Sequence, residues 1–122
     1  MLAFGFRQAH EVGAWVVMIS NGAVGAWALA AHWLAALRVR ALWWCTLAAE
    51  LTVFAQAVVG VYLIAGEGYV APQFHLLYGF SGIVAIGILY SYRSQLRERM
   101  YLLYGLGGLF LMGLGIRAFL LR

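Results

Sequence analysis

The chain predicts an all-α membrane protein, an antiparallel bundle of four transmembrane helices with both termini outside. Three observations predict it. First, 66% of the 122 residues are apolar and only 10% carry charge, too little polar material to cover a water-soluble domain. Second, the apolar residues fall into four runs, each near the roughly 20 residues that cross a hydrocarbon core about 30 Å thick. Third, the breaks between runs are short and rich in arginine, and tryptophans and tyrosines collect beside them. That pattern marks helix ends at a membrane surface.

The elements follow in order. Helix 1 spans about residues 12–37, entering at His10-Glu11 and leaving at His32-Trp33. Arg38-Val39-Arg40 breaks the pattern, and helix 2 returns over about 41–65 from Trp43-Trp44 to Tyr62. Gly66-Glu67-Gly68 opens the next loop. Pro72, the only proline, precedes helix 3 (about 74–92) and suits a helix start. Arg93 to Glu98 turns the chain into helix 4, about 100–121. Residues 1–122 thus form a single four-helix domain, with no room for a soluble one. Arg7 ahead of an apolar run resembles a signal peptide. The run is longer than a signal core and no cleavage site stands out, so it reads as an uncleaved first helix.

Charge sets orientation. Arg38, Arg40, Arg93, Arg97 and Arg99 lie on one side, and Arg7, Arg117 and Arg122 on the other. The arginine-rich short loops belong in the cytoplasm, so both termini and the Glu67 loop face out. Every basic residue is arginine, with no lysine and no aspartate. That bias fits a GC-rich bacterial genome and a multi-pass protein of the cytoplasmic (inner) membrane. The net charge of +4 is spent at helix ends and gives no footprint for nucleic acid. Single Cys45 cannot close an internal disulfide, and no Cys-x-x-Cys-His site exists for covalent haem attachment. Near the cytoplasmic end of helix 2, it reads as a small buried filler.

His10 and His75 open helices 1 and 3, which by alternation start on the same side. Two imidazoles at one depth in a helix bundle suit the axial positions of a b-type haem. Below His75 on one face come Gly79 and Gly82. Below His10 comes Ala14, and Gly60 on helix 2 lies at a matching depth. These small residues leave a groove for a flat macrocycle. Arg7 and Arg117, at the outer edge, are placed to pair with haem propionates. Each feature also has a plainer reading: glycines for close helix packing, arginines for interfacial anchoring, and histidines as structural groups. A haem held by two imidazoles has no open position for substrate, which points to electron transfer.

The stretch Gln56-Ala57-Val58-Val59-Gly60, the loop through Pro72, and His75-Leu76-Leu77 resemble part of the haem A synthase family. There a helix with a Gln-x-x-x-Gly pattern leads through an outer loop to a helix opening with a haem-ligand histidine. The resemblance covers helices 1 to 3 and implies haem ligation by His75 and, aligned with the family's other ligand, by His10. The family has two similar four-helix halves, and this chain has the size of one. Its catalytic half carries a Glu three residues before the first histidine, where this chain has Arg7. The resemblance therefore implies a haem-holding bundle without the oxidising chemistry.

Polar residues deep in the runs are functional candidates by default. Glu50 and Asn21 fall near mid-membrane, where Glu50 could donate to Asn21 as packing glue or relay protons. Gln56 and Thr52 share a face and would extend a short hydrogen-bonded path. His32 lies roughly 33 Å of helix from His10, too far to share a haem. It reads as interfacial, or as part of a quinone pocket with Tyr90, Tyr101 and Tyr104. Two functions compete: a membrane haem b protein in electron transfer, and a haem-free structural or assembly subunit of a larger respiratory complex, or of a homo-oligomer. A transporter has only Glu50 to recommend it. A catalytic nucleophile with a positioned base is missing from the pattern.

Overall fold

A computed structural model describes residues 5–122. It contains four long helices: α1 (Phe6–Trp33), α2 (Arg40–Ala65), α3 (Gln73–Tyr92) and α4 (Met100–Leu120). All four are long and apolar enough to cross a membrane. Single 3₁₀ turns, Ala35–Leu37 and Arg97–Arg99, sit in the two arginine-bearing connections.

Helix α1 begins six residues before the apolar run does. Gly5 stands at its N-cap, and the Gln8 side chain accepts the Gly5 amide at 2.9 Å. This half of a capping box satisfies an otherwise orphaned donor, so the polar turn Arg7–Glu11 is already helical. Helix α1 also ends earlier than the sequence predicts. Leu34 turns out at φ −114°, ψ 99°. Arg38 then folds back to donate from Nε to the Ala31 carbonyl and from Nη2 to that of His32, each at 2.7 Å. Its guanidinium also lies over the Tyr101 ring, 5.3 Å from the centroid. A cation on the last carbonyls of a helix suits their exposed negative ends. At the far end of α2, Gly68 takes φ +77°, a turn that only glycine adopts without strain.

Helix α1 packs most extensively on α4, next on α2, and α3 packs on α4; α2 and α3 barely touch. Glycine makes the α1–α4 crossing close. A Cβ on Gly108 would stand 2.7 Å from Gly25 Cα, and one on Gly105 would stand 2.7 Å from Leu29 Cα. Backbone therefore meets backbone, as in small-residue crossings of membrane helices. Val17, Val53, Ile86, Leu89 and Leu111 form the central apolar cluster, while Ala28, Ala31 and Leu42 form a second at the Arg38 end. The bundle's outside is as greasy as its inside. Ile19 and Trp44 are each 66% exposed and Val58 69%, whereas buried positions include Asn21 and Thr46. Such a surface matches lipid rather than water.

Asn21 bridges α1 and α2, but not through Glu50. Its Nδ2 donates to the carbonyls of Val17, at 3.0 Å, and Ala49, at 3.1 Å. The backbone carbonyl of the residue before Glu50 is the partner. Thr52 donates to its own helix at Ala49, so it does not extend a path to Gln56. Cys45 is exposed on the outside of α2, which corrects its reading as a buried filler. It falls on the face of α2 turned away from the other helices.

Candidate cofactor site

All four helices and the loop before α3 enclose a cleft of about 250 Å³ at the end of the bundle that carries His10 and His75. Its walls are mostly apolar, drawn from Val17, Val53, Leu111 and Leu114 among others. Seven of the residues singled out in the sequence line it: Arg7, His10, Ala14, Gly60, His75, Gly79 and Gly82, and Gln56 joins them. The weak α2–α3 contact explains the space, since those two rods separate where the other pairs close up.

His10, on the second turn of α1, and His75, on the first turn of α3, face each other with ring centroids 6.1 Å apart and planes at 71°. Both are half-buried. The two rings are held differently. His75 Nδ1 lies 2.6 Å from the Ala118 carbonyl on α4. A carbonyl only accepts, so Nδ1 carries a proton, which in the neutral tautomer leaves the lone pair on Nε2. His10 Nδ1 is buried with no hydrogen-bond partner among the described residues.

The small residues divide by role. Gly79 has open space beside it and contributes directly to the cleft. Gly82 is filled from across the bundle, because Val53 Cγ1 would lie 3.2 Å from a Cβ there. Gly60 makes room for the His10 ring itself: a Cβ would stand 3.0 Å from His10 Cε1. Spacing along one helix shows that a glycine makes room, but not what moves into it.

The arginines divide as well. Arg7 lines the cleft, with its guanidinium 5.1 Å from the centre of the Tyr69 ring. Arg117 is not among the lining residues and lies over Tyr78 at 5.7 Å. Arg122 lines the cleft in its place. Helix α4 ends at Leu120 and the chain turns, so a residue past the helix comes round to the cleft while Arg117 stays on its flank. Glu50 and Asn21 also lie outside the lining. His32 stacks edge-on against Trp33 at the opposite end, where Trp43 packs on Tyr101 and Tyr104. Compared with family models, with curated proteins and with solved structures, the chain matches none.

Proposed function

We propose that this chain is a membrane-embedded haem b protein in which His10 and His75 supply both axial ligands and which transfers electrons. The separation of the two rings carries the proposal. A metal–imidazole bond of about 2 Å, with the ring centre roughly 1 Å beyond the nitrogen, puts two imidazoles on opposite sides of one metal at about 6 Å between centres. His10 and His75 stand at 6.1 Å. The donor set agrees. A metal-bound histidine typically gives its other N–H to a carbonyl, as His75 does to Ala118. The open side of Gly79 belongs to the same cleft. Arg7 supplies a cation for a porphyrin carboxylate.

A haem ligated on both faces supplies one-electron chemistry and leaves no vacant position for a substrate. The chain's own residues orient it, keep water out with an apolar lining and neutralise its acidic edge. The likeness to one half of the haem A synthase family is part of this proposal, restricted to haem holding. So is placement in a bacterial cytoplasmic membrane with both termini outside, where a quinone or a membrane-complex subunit would be the redox partner.

Absorption spectra of detergent-purified protein from haem-replete cells test the function. The expected result is one haem b per chain with a sharp low-spin Soret band, lost in both His10→Ala and His75→Ala and kept in His32→Ala. Colourless wild-type protein that co-purifies with other membrane subunits would refute it in favour of a structural or assembly role.

A further inference from the structure

The His10 ring is packed against α2. Two reciprocal insertions between α1 and α2 hold it there. The His10 ring enters the space left by Gly60, where a Cβ would stand 3.0 Å from Cε1. In return, the Gln56 side chain enters the space left by Gly13, where a Cβ would land on its Oε1. From there Gln56 Nε2 donates to the backbone carbonyl of His10. Each helix thus offers one side chain and one glycine, a single turn apart on each helix. The glycine beside His10 on α1 receives Gln56, and the glycine beside Gln56 on α2 receives His10.

We infer that Gln56 is the positioning residue for His10, holding its backbone and ring at the cleft through this lock with Gly13 and Gly60. The inference rests on the haem reading for its consequence, but the geometry it describes belongs to the chain alone. Leucine at position 56 keeps the bulk and removes the donor to the His10 carbonyl. Alanine at position 13 keeps Gln56 and evicts its amide. The two changes act on one contact from opposite helices, so their effects coincide rather than add.

The test titrates haemin into the detergent-purified full chain and into Gln56→Leu, Gly13→Ala and the double variant. Each variant is expected to bind haemin about 10- to 100-fold more weakly, the usual cost of losing a support behind a metal ligand. A high-spin fraction should appear, revert on addition of free imidazole, and be no larger in the double variant. A second readout needs no haem. In protein labelled with ¹⁵N-histidine, the His10 ring resonances move in both single variants while those of His75 stay. If Gly13→Ala does not fold, Gln56→Leu, which adds no atom behind α1, decides the matter. Wild-type affinity, a low-spin spectrum and an unmoved His10 resonance in Gln56→Leu would overturn the inference while leaving the haem reading intact. Failure of wild type to bind haemin would overturn the haem reading, and the His10 resonance alone would then uphold or overturn the lock.

Discussion

The α1–α4 crossing makes a prediction that can be worked from distances. A Cβ on Gly108 would lie 2.7 Å from Gly25 Cα and 2.9 Å from the Asn21 carbonyl oxygen. Carbon atoms pack best at about 3.5–4.0 Å, so Gly108→Ala creates an overlap of roughly 1 Å. The atoms it meets are backbone and cannot rotate away. The helices must part, and a gap of about 1 Å forfeits up to half of each facing dispersion contact. Overpacking of this kind costs about 1–3 kcal/mol, against a gain of about 1 kcal/mol from replacing a helical glycine by alanine. At Gly113 nothing lies within 4 Å, so only the gain applies. Thermal unfolding in detergent, followed by far-ultraviolet circular dichroism, should show Gly108→Ala destabilised by about 1 kcal/mol net and Gly113→Ala neutral or stabilised. Gly25→Ala should behave like Gly108→Ala, and the double variant should cost less than the sum. Equal effects at positions 108 and 113 would refute the reading of that crossing as backbone on backbone.

Three further outcomes are expected. Arg7→Ala weakens haemin binding in a titration and Arg117→Ala does not, because Arg7 lines the cleft and Arg117 does not; the reverse order would misplace the charged edge. Asn21→Ala removes one bond within α1, to Val17, and the bond to Ala49 that ties α1 to α2 and costs about 1 kcal/mol by unfolding, while Asn21→Asp, which sets a carboxylate against those carbonyls, costs more. Arg38→Ala frays the end of α1, seen as faster amide exchange at Trp33 and Leu34, and Arg38→Lys does not restore protection, because one ammonium cannot reach both carbonyls in the guanidinium's fork.

The four helices were legible because hydropathy over a bilayer-length window depends on composition, not on contacts. Their ends were less so. The start of α1 at Phe6 depends on Gln8 capping Gly5, and its end depends on Arg38 reaching back to Ala31 and His32; neither contact has an apolar signature. The facing of His10 and His75 could be anticipated because alternation fixes the end of the bundle on which a helix starts. What fills each glycine's space could not, because Gly60, Gly82 and Gly108 differ only in the side chain or backbone that arrives from another helix. For the same reason Gln56 read as a step in a polar path, whereas its partner is the His10 carbonyl. Arg122 was missed because it lies beyond the last helical turn, where periodicity no longer says which way a side chain faces.

Low-temperature electron paramagnetic resonance of the oxidised protein reports which groups ligate a haem iron and the angle between them. The two imidazole planes stand at 71°, nearer perpendicular than parallel. Ligation by His10 and His75 predicts one strongly anisotropic low-spin ferric signal, absent from both His10→Ala and His75→Ala. A haem-free sample, or a ferric signal that survives loss of either histidine, would contradict it.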